Sequence, residues 1–259
     1  MGNQVHFYTL EEAVEAGIPY QEQSEFACEY CAKPLEQLGI LGYDGVVRWV
    51  IRKECSCEGA RVHREATKRQ EELIERKEQE SRFLRAGIAK RYLCASVSNS
   101  ESVRYIESFR VGIGAGLYFV GGVGSGKTYE ASAIAKSFIW AGYSVVFTTT
   151  LSMLDAIRKS YDSKGDAGIA KFVGADLLVL DDMGKESANS WALTTLFQVL
   201  NARYENLLPT VFTSQYPISA LERRMSRGGE RESAQAIASR ISQISKVVDL
   251  GNGDRRRGG

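Results

Sequence analysis

The 259-residue sequence predicts an α/β protein, in which a parallel sheet covered by helices follows a small cysteine-bearing module and a helical linker. Three observations lead to this fold class. From about residue 117 onward, short apolar runs alternate with helical stretches, as they do in parallel sheets. A glycine-rich segment, Gly121 to Thr128, directly follows the first of these runs. Four of the five cysteines lie within the first 60 residues, which have little periodic apolar pattern of their own.

The individual elements follow from local pattern. The alternating apolar positions Val47, Trp49 and Ile51 predict a strand at 46–51, and the stretch 60–85, rich in Glu, Lys, Arg and Gln with few apolar positions, predicts a mostly exposed helix. In the remaining chain, apolar runs predict strands at 117–120, 144–148, 177–180, 210–213 and 247–250, and helices at 127–141, 151–161, 190–205 and 234–245.

The glycine-rich segment fits the phosphate-binding pattern G-x-x-x-x-G-K-[ST], and it lies between a strand and a helix, as that motif requires. Its backbone N–H groups can surround phosphate oxygens, helped by the positive end of the following helix. Lys127 would reach the β and γ phosphates, and the Thr128 hydroxyl would bind Mg²⁺. The sequence therefore predicts an ATP site formed by Gly121, Gly122, Val123, Gly124, Ser125, Gly126, Lys127 and Thr128.

Two further strands are predicted to bring polar groups to the same edge of the sheet. The apolar run 177–180 ends in Asp181 and Asp182. We expect Asp181 to hold Mg²⁺ and Asp182 to orient or deprotonate the attacking water. The next strand ends near Gln215, which could bond the γ-phosphate or the water, with Ser214 as the alternative. A strand followed by an ordinary polar turn is the simpler interpretation of each segment taken alone.

The cysteines of the first 60 residues form two close pairs, Cys28 with Cys31 and Cys55 with Cys57, on either side of the predicted strand. This is the arrangement of a zinc ribbon, in which four thiolates make a closed tetrahedral site, so we expect a small zinc-ribbon-like module. Metal binding can supply folding energy to a segment with little core. Redox chemistry by the first pair is the alternative, but it leaves the second pair unexplained. His63 is a possible replacement ligand. The fifth cysteine, Cys94, is predicted to be a buried apolar residue.

In their order, these motifs resemble those of the DnaC/DnaI-type helicase loaders and the related IstB-type transposition helper ATPases. The resemblance covers roughly residues 83–256. It begins at the segment from Arg85 to Tyr92 and continues through the glycine-rich loop. It then includes the acidic strand end with Met183-Gly184, and Thr213-Ser214-Gln215. Its last parts are residues 237–241 and the segment from Val248 to Arg255. Loaders of the DnaI branch also have an N-terminal zinc module ahead of the ATPase.

The resemblance implies an AAA+ ATPase whose site is completed by a neighbouring subunit, with Arg240 matching the family's arginine finger. It implies three parts: a zinc-binding partner-interaction module at 1–60, a basic helical linker at 61–91 and an AAA+ ATPase domain at 92–259. The family often has Asn at the position of Gln215 and Glu at that of Asp182. Each difference changes side-chain reach by one methylene, so we expect slow hydrolysis.

The implied function is to load a ring-shaped, hexameric replicative helicase onto single-stranded DNA when replication begins, with the protein self-associating through its ATP site. Two alternatives remain open: an IstB-like helper that presents duplex DNA to a transposase, and a nucleotide-gated binding module with little hydrolysis.

Charge and hydropathy are compatible with these interpretations. Residues 1–60 hold ten acids and four bases, a net charge of −6, whereas residues 61–91 hold ten bases and six acids, a net charge of +4. An acidic head suits a protein partner, and basic segments suit phosphate backbones. The sequence contains no run of roughly 18 apolar residues, so we expect a cytoplasmic protein without a membrane partner.

Overall fold

The computed structural model describes residues 6–109, 112–162, 167–185 and 189–254. Arg255, the last residue of the C-terminal family segment, lies outside them. The chain divides into two compact units, residues 1–77 and 78–259. The predicted three-part division, with its function for each part, stays a prediction. In the described residues, no helix is long and apolar enough to span a lipid bilayer.

The first unit is built around a two-stranded antiparallel hairpin. A short helix, α1 (Leu10–Glu15), precedes strands β1 (Gln37–Leu41) and β2 (Val47–Arg52), and the long helix α2 (Glu58–Arg85) follows them. The α1 helix begins with a capping box, in which the Thr9 hydroxyl accepts from the Glu12 N–H and the Glu12 carboxylate accepts from the Thr9 N–H. Val47 is fully buried, whereas most of β2 beyond it is exposed, so this unit has little core.

The second unit is a parallel sheet with helices on both faces, so the predicted fold class is confirmed. Within the described chain its strands are β3 (Gly116–Val120), β4 (Val145–Thr149), β5 (Leu177–Met183), β6 (Thr210–Ser214) and β7 (Ser245–Asp249), in the order β4-β5-β6-β3-β7. The helices are α3 (Ser100–Ser108), α4 (Lys127–Trp140), α5 (Thr150–Asp162), α6 (Ala167–Val173), α7 (Ser190–Glu205), α8 (Ile218–Met225) and α9 (Arg231–Ile244).

The strand order determines which chain segments meet at the edge where the strands end. Strand β6 lies between β3 and β5, and every pairing in this sheet is parallel. The carboxyl ends of β3, β5 and β6 therefore lie side by side. These are the three strands after which the sequence places the phosphate loop, the two aspartates and the polar step at Gln215.

Candidate functional site: a nucleotide cleft and a four-cysteine cluster

The glycine-rich loop connects β3 to α4. Gly121 and Gly126 have φ angles of +156° and +95°, which other residues rarely adopt. A Cβ on Gly121 would lie 2.6 Å from the carbonyl oxygen of Gly251, because the chain following β7 passes directly against the loop. The Gly122 N–H donates to that same carbonyl at 2.9 Å. The loop is thus supported by the segment that follows β7.

Lys127 is the first residue of α4 and is almost fully buried. Its Nζ donates to the carbonyl oxygens of Gly121 and Gly122, at 2.9 and 2.7 Å, and lies 3.5 Å from the Ser125 hydroxyl. The ammonium group therefore lies inside the loop, where phosphate oxygens are the anions that it could neutralise.

Thr128, Asp181 and Thr213 form a hydrogen-bonded set across the three strand ends. The Thr128 hydroxyl donates to the Asp181 carboxylate at 3.0 Å. The Thr213 hydroxyl donates to the same oxygen, Oδ1, at 2.5 Å and accepts from the backbone N–H of Asp182 at 2.9 Å. A threonine hydroxyl and a carboxylate in contact form the pair that holds Mg²⁺ in P-loop sites.

Sequence reasoning missed Thr213. It lies on β6, between the strand of the phosphate loop and the strand of the aspartates, and its side chain is fully buried. Only the strand order reveals that it bridges Asp181 and Asp182. The signal available in the sequence was a hydroxyl side chain on an otherwise apolar strand end.

Burial raises the pKa of Asp181 above its ordinary value, and the nearby Asp182 charge acts in the same direction, while the hydroxyls of Thr213 and Thr128 oppose the rise. Ionising a buried carboxyl group costs free energy, and a cation next to the carboxylate stabilises the ionised form. The chemistry of this donor set therefore fits a magnesium ion.

Asp182 and Gln215 both line a cleft of about 540 Å³ above the glycine-rich loop. Asp182 has a left-handed backbone, φ +58°, and its carboxylate forms an ion pair with Lys185 at 2.9 Å. The Ser214 hydroxyl instead donates to the carbonyl of Met183 and is fully buried. Of these two residues, Gln215 lines the cleft and Ser214 does not. The other described residues that line it are Arg91, Tyr92, Ser98, Val123, Gly124, Gly126, Lys127, Thr128, Tyr129, Asp182 and Lys185.

The wall opposite the sheet edge is tied to α4 by buried polar contacts. Glu130, 1% exposed, accepts hydrogen bonds from the backbone N–H groups of Ser98 and Asn99 and from the Ser98 hydroxyl. One turn and a half further along, Lys136 donates to the carbonyls of Leu93 and Ala95. The segment leading into α3 is therefore held against the helix that begins at the phosphate loop.

Arg240 lies on α9, and it is not among the described residues that line the cleft. Its guanidinium group lies 4.1 Å from the ring centroid of Tyr204. Its Nε donates to the Asn201 side-chain oxygen at 3.0 Å, and one terminal nitrogen donates to Gln243 at 2.7 Å. All three of these contacts are to uncharged side chains, so the positive charge of the guanidinium is not neutralised by them.

The first unit contains the second candidate site. The sulfur atoms of Cys28, Cys31, Cys55 and Cys57 all lie within 4.8 Å of one another. The pair Cys28 and Cys57 is 3.7 Å apart, and the pair Cys31 and Cys55 is 3.5 Å apart. A backbone hydrogen bond from Tyr30 lowers the pKa of Cys28 to about 7. For Cys31, a backbone hydrogen bond from Lys33 is outweighed by burial and the three neighbouring thiols, which raise its pKa to about 12. Four converging sulfurs of this kind fit a tetrahedral metal.

Two subsidiary expectations about this region change. The His63 ring contacts the Tyr30 ring, with centroids 5.4 Å apart, and His63 is not part of the cluster of metal-ligating side chains. Cys94 is exposed, so the prediction that it is a buried apolar residue is wrong. It follows the short turn Lys90–Tyr92, and the neighbouring Ala95 is the residue that becomes buried there.

A P-loop after a central parallel strand, with a threonine hydroxyl at the start of α4 in contact with a carboxylate at the end of β5, defines a P-loop ATP-binding protein. Comparison with known proteins identifies the group. The family described as IstB-like ATP binding protein matches residues 50–258. The chain therefore belongs to the IstB-like family of AAA+ ATPases, and the predicted membership of the DnaC/IstB group is confirmed.

Individual relatives come from both branches of that group. The replicative helicase loader DnaI of Bacillus subtilis (strain 168) is 29% identical over 160 residues, which cover 59% of this chain and 51% of the relative. An insertion-sequence ATP-binding protein of Sinorhizobium fredii is 32% identical over 93 residues, which cover 36% of this chain and 31% of that protein. The chain thus spans about half of the first relative and less of the second.

A crystal structure of the DnaC helicase loader is similar to this fold. It is 26% identical in sequence, with a TM-score of 0.54, and the similarity covers 62% of this chain and 99% of that one. The similar region is thus nearly all of the loader chain in that crystal.

Proposed function

We propose that this protein is an ATP-driven helicase loader, which holds a ring-shaped, hexameric replicative helicase and helps to place it on single-stranded DNA. The observation that carries the proposal is a P-loop cleft in a chain that also has a four-cysteine cluster, combined with similarity to two helicase loaders. The acidic head, with a net charge of −6 in residues 1–60, supports a role in gripping a protein partner.

Within the site, each residue has a proposed part. Bound Mg²⁺-ATP supplies the phosphoanhydride bond and the cation that shields its charge. Lys127 contacts the phosphates, while the Thr128 hydroxyl and the Asp181 carboxylate hold the cation. Asp182 accepts a proton from the attacking water, which Gln215 helps to position. Oδ2 of Asp182 pairs with Lys185, which also lines the cleft.

Arg240 is proposed to act in the site of a neighbouring subunit. It is absent from the described lining of its own cleft, and neutral groups hold it. Its positive charge is therefore available to another subunit, where it can stabilise the charge that develops on the γ-phosphate, an effect on the order of 10³ to 10⁵ in rate.

Mixing two inactive variants tests this arrangement. Lys127→Ala lacks phosphate contact and Arg240→Ala lacks the finger, so neither alone should hydrolyse ATP. A mixture creates interfaces with an intact loop on one subunit and an intact arginine on the other, and we expect part of the activity to return. A mixture as inactive as its components would contradict an arginine acting in trans, and Arg158→Ala, on the exposed face of α5, is the matched control.

The cysteine unit is proposed to bind structural zinc through Cys28, Cys31, Cys55 and Cys57. The proximity of four sulfurs supports it, and the first unit has little apolar core to hold it otherwise. Elemental analysis of the purified protein should find about one zinc per chain, and a Cys31→Ser/Cys55→Ser variant should lose it. A metal-free protein with a folded head would exclude this role.

The partner decides between the two branches of the family. Capture from an extract of the source organism, followed by mass spectrometry, should recover the replicative helicase. Recovery of a transposase without the helicase would instead favour the transposition helper, which the similarity to an insertion-sequence ATP-binding protein supports. Turnover that stays undetectable with and without single-stranded DNA would favour the nucleotide-gated binding module.

A further inference from the structure

A second concave surface of the ATPase unit lies on the helices around Arg227, away from the residues that line the nucleotide cleft. It has a volume of about 460 Å³ and lies where α8, the short turn Ser226–Gly228 and the start of α9 meet. Among the described residues, every side chain that lines it is polar or charged: Glu222, Arg223, Ser226, Arg227, Arg231 and Gln235. We name this surface the arginine pocket.

The charge of the arginine pocket is not balanced. Three guanidinium groups and one carboxylate line it, which leaves a net charge of +2. In the described parts of the chain, Arg223, Arg227 and Arg231 make no side-chain hydrogen bond and no ion pair, and all three are exposed. Three like charges around one concavity create a positive potential that attracts anions.

A neighbouring arginine shows that partners are available in this region. Arg224, next to Arg223 on α8, donates to the carbonyl of Gly184 and lies over the ring of Tyr216 at 5.1 Å. It therefore has a structural task, whereas the three pocket arginines have none that the described contacts show. Their grouping at a concave surface is the observation that suits an anionic ligand.

We propose that the arginine pocket binds phosphate groups of single-stranded DNA. The absence of apolar side chains from its described lining separates it from a metabolite site, which is mostly apolar, and from the core of a protein interface, which is enriched in aromatic residues. Guanidinium groups bind phosphate through two parallel hydrogen bonds, and the Gln235 amide adds a neutral donor. The start of α9 contributes its positive end.

This proposal rests on the proposed function, because it takes single-stranded DNA as the ligand. It adds the position at which the DNA binds on the protein. The strand would contact α8 and the start of α9. The same helix α9 carries Arg240, four residues before it ends at Ile244 and β7 begins. DNA bound there would thus contact the same helix that presents the proposed finger.

The salt dependence of binding tests the site. The full-length protein is titrated against fluorescein-labelled oligo(dT) at a series of KCl concentrations, and binding is followed by fluorescence anisotropy. Each phosphate contact contributes about 0.7 to the slope of log affinity against log salt for a single strand. Arg223→Gln/Arg227→Gln/Arg231→Gln should therefore lower the slope by about 2, and the corresponding triple Lys variant should retain it.

The matched control removes three exposed positive charges elsewhere on the same unit. Lys90, Arg104 and Lys246 are exposed, and the last two already pair with Glu101. Their triple Gln variant should keep the wild-type slope. Thermal unfolding and ATP binding, measured on every variant, should match the wild type, because all the substituted side chains are exposed.

The outcomes separate this proposal from the loader function. A reduced slope with helicase binding retained supports the arginine pocket as a DNA site. A slope of the triple Gln variant equal to that of the wild type overturns the proposal. If that variant also loses helicase binding, the ligand of the arginine pocket is an acidic protein surface. A wild-type protein that binds oligo(dT) but no helicase contradicts the loader proposal alone.

Discussion

Arg203 offers the sharpest test of how the ATPase unit is held together. It lies on α7 and is fully buried. Its guanidinium nitrogens donate to the carbonyls of Phe172 at 2.9 Å, Ala175 at 2.8 Å and Pro209 at 2.6 Å, and its Nε donates to the Thr210 hydroxyl at 3.0 Å. One side chain thus joins α7 to the end of α6 and to the segments that lead into β5 and β6.

The substitution to test is Arg203→Met, which keeps an unbranched side chain out to the ε position and removes every donor. Three buried carbonyls then lose their partner, and each unsatisfied buried acceptor costs about 1–3 kcal/mol. Burial also lowers the pKa of Arg203 to about 10, so part of the cost is returned because a buried charge disappears. Taking the lower bound for each carbonyl, we expect the free energy of unfolding to fall by about 3 kcal/mol.

Urea unfolding followed by circular dichroism measures this change, with hydrogen exchange reporting where it occurs. A loss of about 3 kcal/mol corresponds to a fall in melting temperature of roughly 6–12 °C for a domain of this size. Exchange should accelerate first at the end of α6 and at the start of β6. The free energy of unfolding of Arg203→Lys, which keeps three donors and the charge, should lie between those of the wild type and Arg203→Met.

The control is Arg158→Met, an exposed arginine on α5 that stacks on Trp191 at 4.4 Å. It should cost at most about 1 kcal/mol. If Arg203→Met destabilised the protein no more than this control, the assumption that these carbonyls depend on Arg203 would be refuted.

Three other predictions follow from buried polar groups and from the division into two units. Thr213→Val removes the hydroxyl that bridges Asp181 and Asp182 without changing the shape of the side chain. ATP turnover should fall about tenfold or more, equal to about 1.4 kcal/mol, and the Mg²⁺ concentration needed for turnover should rise. An unchanged Mg²⁺ titration would count against this prediction. Glu130→Ala leaves two backbone N–H groups near the cleft without their acceptor, and exchange at residues 98 and 99 should accelerate while the helical content is kept. Chelation of zinc should unfold the head but leave ATP binding intact by calorimetry, because the two units are separately compact; lost ATP binding would show that the units depend on each other.

Much of the ATPase unit could be predicted from the sequence because its strands are short apolar runs between clear helix patterns. The helix predicted at 190–205 has those bounds in the structure, and the strands differ by a few residues at their ends. Strand β1 was missed because Gln37 and Gly39 interrupt its apolar pattern. The helices α6 and α8 were missed because a helix of seven or eight residues has too few turns to show a period.

The parts of the site that the sequence did not predict depend on which strands become neighbours. The P-loop and the aspartates follow from local motifs, whereas the Thr213 bridge needs β6 to lie between β3 and β5. Arg203 also escaped prediction, since an arginine within a helix normally indicates an exposed face, and only packing of α6 against α7 buries it. Side-chain tasks that arise from tertiary neighbours leave little trace in a single sequence.

The support that Gly251 gives to the phosphate loop has a consequence for communication between subunits. The chain runs from Arg240 on α9 directly into β7, which pairs with β3, and then to the carbonyl that the Gly122 N–H contacts. A subunit's own nucleotide loop is thus joined, by one helix end and one strand, to the arginine that it would offer to the next subunit. If Arg240 acts in trans, this short segment links the occupancy of a subunit's own site to the position of the arginine that serves the next subunit.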